Sequence, residues 1–113
     1  MDEIIVTTTS SVEGYDIEEY LGIRAGQAVM GANIVKDLFA GIRDIIGGRT
    51  KAYEETISKG REEAIKDLKK AAKDLGANAV VGIQIDYEEM REGALWMTVT
   101  GTAVKLKPKK RNS

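Results

Sequence analysis

The apolar positions of this chain change their period along its length, and the changes divide it into elements. Ile4, Ile5 and Val6, followed by Thr7, Thr8 and Thr9, are β-branched almost throughout and predict a short strand. Residues 10–16, with Gly14, predict a loop. From 17 to 32 the pattern is mostly extended, with Ile23, Ala25, Gln27 and Val29 on one face and Arg24, Ala28 and Met30 on the other. Gly22, Gly26 and Gly31 mark expected bends or bulges in that strand.

The period then becomes helical. Asn33 is a suitable N-cap for a helix carrying Ile34, Val35, Leu38, Phe39, Ile42, Ile45 and Ile46, which Gly47 and Gly48 end. A longer helix is expected to start near Thr50, with Tyr53, Ile57, Ala64, Leu68, Ala71, Ala72 and Leu75 along one stripe and Gly76 as a left-handed stop. Residues 80–87 alternate, as do 96–106, which predicts an antiparallel hairpin turning through 88–94, where Gly93 supplies a positive φ. The order strand, strand, helix, helix, strand, strand predicts an α+β domain: a two-layer antiparallel sheet with two helices on one face. That domain spans 1–106, and 107–113 reads as a frayed basic tail.

The hairpin is apolar on both faces, which bears on assembly. Val81, Ile83, Ile85 and Tyr87 lie on one side of its first strand. In the second strand Leu95, Met97, Val99 and Ala103 face one way, and Trp96, Val104 and Leu106 the other. Helices on one face leave the second face in water, so a homo-oligomer is expected to cover it, with strand edges near Ile4 pairing across the contact.

Composition narrows the chemistry. At 113 residues, 42% hydrophobic and 31% charged, the chain is long enough for one core and matches neither a disordered nor a membrane composition. The acidic opening lacks the basic start of a signal peptide and no apolar run approaches a bilayer span, so the cytoplasm is the expected compartment. The absence of Cys and His removes thiolate and imidazole chemistry and the usual zinc ligands. The formal net charge of −1 hides an acidic body and a basic end, because Lys105, Lys107, Lys109, Lys110 and Arg111 follow one another with no acid among them. Nucleic acid or anionic lipid is therefore expected to meet only the tail.

Specific blocks now stand out: Gly31-Ala32-Asn33-Ile34; Phe39-Ala40-Gly41-Ile42-Arg43-Asp44-Ile45-Ile46-Gly47-Gly48-Arg49; Tyr53-Glu54; Leu75-Gly76-Ala77-Asn78-Ala79-Val80-Val81-Gly82; Asp86-Tyr87; and Gly101-Thr102-Ala103-Val104-Lys105. In this order and spacing they resemble the YbjQ family over nearly the whole chain, from about Val6 to Lys105. The resemblance implies a dodecin-like subunit assembled as a ring-shaped homopentamer, of uncharacterised activity under a heavy-metal-binding label. It implies no residue-by-residue metal ligands and names no cofactor.

Candidate ligand-binding residues are Gly47, Gly48, Arg49 and Tyr53, with Asp44 nearby: a glycine break opening a new helix offers free N–H groups to an anion, and Arg49 adds a fork of donors. The same glycines serve equally as a cap, with Arg49 paired across a subunit contact. No phosphate loop is present, since Arg49 stands where lysine is needed and the segment continues an apolar helix. Oxygen ligands for a hard cation are Asp86, Glu88, Glu89 and Glu92 near the hairpin turn, and Glu54 with Glu55. Trp96, Met97 and Met90 are candidates to line a groove. The expected function is a non-enzymatic homo-oligomer binding a small ligand or ion at subunit junctions near Arg49 and Tyr53. Its rivals are an enzyme using Asp44 or Asp86 with Arg49 or Tyr53 at a shared interface, and a scaffold recruiting partners through basic tails.

With neither imidazole nor thiolate in the chain, tight stoichiometric binding of Zn, Cu or Cd is not expected. Elemental analysis after dialysis against a mild chelator checks this, and one such ion retained per subunit is the contrary outcome.

Overall fold

A computed structural model describes residues 3–30, 48–90 and 94–110, with side chains described for 3–30, 54–90 and 94–110. Four strands and one helix make up these residues: β1 (Ile5–Val6), β2 (Tyr15–Met30), α1 (Gly48–Asp74), β3 (Ala79–Glu89) and β4 (Leu95–Pro108). The sheet order is β1-β3-β4-β2. β4 is antiparallel to both neighbours, whereas β1 runs parallel to β3, with Ile5 opposite Ala79 and Val6 opposite Val80.

Two expectations are corrected here. The sheet is mixed, not antiparallel, because the chain enters β1 in the same direction as it later enters β3. Among the described residues one helix, not two, packs on it; the helix expected over 34–46 lies outside the described residues. Among the described residues the two-helix, dodecin-subunit-like layer gives way to one helix on a mixed sheet, and the single chain carries no sign of the ring.

Helix α1 presents Thr56, Gly60, Ala64, Leu68 and Ala72 to the sheet, every one of them buried. These residues are four apart, so each step turns about 40° around the helix. Such a row stays in contact only with a surface that coils in the same sense, as a long twisted ribbon of β2 and β4 does. Four of the five are small, which lets backbone approach backbone. At Gly26 on β2 the approach is closest: a Cβ there would meet the Ala64 carbonyl and lie 2.8 Å from the Leu68 Cα. The principal core follows from this contact, with Ala64, Leu68 and Ala72 against Val80, Met97, Val99 and Ala103.

The opposite face has its own cluster at one end. Ala79, Val81, Val104 and Leu106 are buried there under Ile5, Val12 and Ile17. Val81 reaches that side because the register slips between Val81 and Gln84, where Gly82 adopts φ +61. One extra residue reverses the alternation, so Val81 and Ile83 face opposite ways although two apart. The segment after β1 ties the bulge down, since Gly82 N–H donates to the Thr9 carbonyl (2.8 Å) and Ile83 N–H to that of Thr7 (3.1 Å).

Gly76 is left-handed (φ +83) and stops α1 as expected. Beyond it, Asn78 acts as a peptide group in side-chain form: its Oδ1 accepts from Leu106 N–H (2.7 Å) and its Nδ2 donates to the Leu106 carbonyl (3.0 Å). β4 itself continues through Pro108, and Lys109 N–H donates to the Gly14 carbonyl.

Gly26→Ala is expected to destabilise by about 1–3 kcal/mol, because the methyl group meets backbone that moves only if the helix lifts from the sheet. Gly60→Ala, whose new Cβ meets the pliable end of Met97, should cost much less. Thermal melts of the two variants compare them directly. Asn78→Ala leaves both polar groups of Leu106 without their side-chain partner, and denaturant titration should show a loss of roughly 1–3 kcal/mol.

Candidate functional site

Of the candidate residues, Gly48, Arg49 and Tyr53 fall in the first two turns of α1, which begins two residues before the expected Thr50. Gly48 is thus helical. Asp44 and Gly47 lie outside the described residues, as do the side chains of Arg49 and Tyr53. Among the described residues the first turn of α1 contains no acidic residue.

The other expected groupings are divided by the sheet. Met97 is buried beneath α1, Trp96 projects from the opposite face at 36% exposure, and Met90 lies at the hairpin end, so the three do not line one groove. Neighbours on a strand point to opposite faces, and the β2 register confirms the division: Val29 pairs with Trp96, and Ala28 with Met97. Asp86 and Glu88 share the Trp96 face, being paired with Thr98 and Trp96, whereas Glu89, paired with Leu95, is on the helix side. Glu54 and Glu55 are exposed on α1, and Glu92 lies outside the described residues. Among the described residues no group of three or more Asp, Glu, His or Cys is placed to hold a metal ion. At the basic end, Lys105 stands opposite Glu19 and Lys107 opposite Asp16, so the β2 acids offset part of the charge available to a nucleic acid.

Two surfaces remain after these assignments. One is the sheet face away from α1, where Tyr20 (70% exposed), Ile23 (68%), Val29 (60%) and Trp96 flank the row Thr98, Thr100 and Thr102. The other is an open groove of about 470 Å³ between the outer edge of β2 and α1, with Val29 and Met30 on the strand side and Lys66, Asp67 and Lys70 on the helix side. In it the Asp67 Oδ2 accepts the Gln27 N–H at 3.0 Å. Sequence pattern gave no signal for Asp67, which looks like any other acid on the polar face of an amphipathic helix. No helix among the described residues is long and apolar enough to cross a membrane.

A family model described as "Putative heavy-metal-binding" matches residues 4–107. A UPF0145 protein of Geobacillus kaustophilus is 54% identical over 104 residues, covering 92% of this chain and 99% of its own. Those of Anoxybacillus flavithermus and Halalkalibacterium halodurans are 51% and 52% identical over the same length, covering 92% of this chain and 99% and 97% of their own. A crystal structure from Pediococcus pentosaceus ATCC 25745, of a protein with unknown function in the DUF74 family, superposes with a TM-score of 0.58. It is 16% identical, covers 92% of this chain and 98% of its own, and therefore speaks to the fold alone.

Proposed function

The chain belongs to the YbjQ family, and from that premise we propose that it is a non-enzymatic, cytoplasmic homo-oligomer that binds a small anionic ligand where subunits meet. The observation that carries the reading is the uncovered sheet face. Among the described residues helix α1 buries one side of the sheet, the segment 7–14 buries only the end around Val104 and Leu106, and Tyr20, Ile23, Val29 and Trp96 are left exposed on the same side. A run of large apolar side chains on one face is what a protein–protein contact covers. A neighbouring copy covers it with a different patch of its own surface, because an odd number of copies cannot close through one face meeting itself.

Five copies is the number the family resemblance implies. For the ligand, support comes from the composition of the first described turn of α1, which includes Arg49 and no acid, a combination that favours an anion over a cation. Tyr53, one turn further along α1, is a further candidate for the site. Assembly and ligand are one proposal because a helix N-terminus alone holds small anions weakly, and a junction adds groups from a neighbour.

Light scattering coupled to size exclusion at micromolar concentration should give a mass that is a multiple of 12.3 kDa, and Ile23→Glu with Trp96→Lys should lower it. A single monodisperse peak at the monomer mass in the unaltered protein would overturn the reading. Native mass spectrometry of the assembled form should show retained anion, reduced by Arg49→Ala without change in copy number.

A further inference from the structure

Among the described residues β2 is the longest strand of the sheet and forms one of its two edges. Because Gln27 N–H is taken by a side chain of α1, it points away from β4; by the alternation of an antiparallel pair, the main-chain groups of Ile23, Ala25 and Val29 point outward with it. An edge of this length, flanked by exposed Ile23 and Val29, is a template on which another extended chain can pair. Two side chains occupy it. Asp67 takes the Gln27 N–H at 3.0 Å, and the Arg24 guanidinium donates to the Ile23 carbonyl at 2.8 Å. The first is the more consequential, because Asp67 comes from a different element, 40 residues away, and stands in the path an incoming strand would follow. The opposite edge is managed by other means: the Thr7 and Thr9 carbonyls take the Ile83 and Gly82 N–H groups, and beyond them Asp86, Glu88 and Glu89 give the edge a charge that repels a second copy of itself.

We infer that Asp67 is an edge guard: its bond to Gln27 N–H, across the groove between α1 and β2, keeps the β2 edge of one copy from pairing with a β2 edge of another. This goes beyond the assembly proposed above, which uses a face of the sheet and leaves this edge free. The two are separable, since the guard is read as a change from the unaltered protein whatever mass that protein has.

The test uses four full-length variants. Asp67→Ala removes the acceptor and, alanine being the better helix former, does not weaken α1. Its Gln27 amide should exchange with solvent at least about tenfold faster while amides of β4 keep their rates, as loss of a single local bond requires. Its mass by light scattering should rise above that of the unaltered protein as concentration increases. Asp67→Asn keeps a side-chain carbonyl and should behave as the unaltered protein in both measurements. Gln27→Pro alone should leave the mass unchanged, since an edge tolerates proline where its N–H faces out. Combined with Asp67→Ala it should reverse the gain in mass, which a misfolded Asp67→Ala protein would not allow. An unchanged mass for Asp67→Ala at every concentration, or a gain that Gln27→Pro fails to reverse, overturns the inference.

Discussion

The close approach of α1 to the β2–β4 ribbon governs the rest of the structure. It exists because Gly26 has no side chain and because the helix offers a row of small residues at intervals of four. Bringing the helix onto backbone buries Leu68 wholly, worth about 2 kcal/mol for that side chain alone, and brings Met97 and Val99 under the same cover. It also sets where α1 can stand: beside the outer edge of β2, where Asp67 reaches main chain. The core, the groove and the guarded edge are consequences of one helix–sheet distance.

Covering one face so closely leaves the other to different means. The segment 7–14 covers part of it, and the bulge at Gly82 turns Val81 to meet that cover. Over the remainder the chain places threonines along the central strand and apolar residues at its flank. The two faces thus have different chemistry: a dry, small-residue packing on one and a broad mixed surface on the other. This asymmetry is what the proposed assembly relies on.

Much of this was legible in the pattern of residues. The alternation over 80–87 and 96–106 predicted β3 and β4, the face assignments within β2 hold, and Gly76 stops the helix where its position suggested. The parallel direction of β1 was not legible, since two β-branched residues have no period from which a direction can be read. Thr56 and Gly60 escaped the apolar stripe because a count of hydrophobic residues passes over a threonine and a glycine, although both are buried. Val81 was placed with Ile83 and Ile85 because strict alternation does not anticipate a bulge. For the candidate site, Tyr53 was placed on the helix that carries it and Arg49 just ahead of that helix, whereas Arg49 lies within it; Trp96 and Met97 were grouped as neighbours in sequence when the sheet stands between them. Asp67 and Asn78 act on main chain far away in sequence, and no local pattern encodes that.

The parallel pairing of β1 with β3 has a kinetic side. The β3–β4 hairpin closes a turn of a few residues, whereas joining Ile5 to Ala79 closes a loop of roughly 70, at a larger entropic cost. The N-terminal strap therefore docks after the hairpin and the helix have formed their core, and it is the first piece to detach when the fold opens. Its departure strips Ile5 and Val12 from Ala79, Val81, Val104 and Leu106, so the earliest step of unfolding exposes apolar surface at a second place on the sheet.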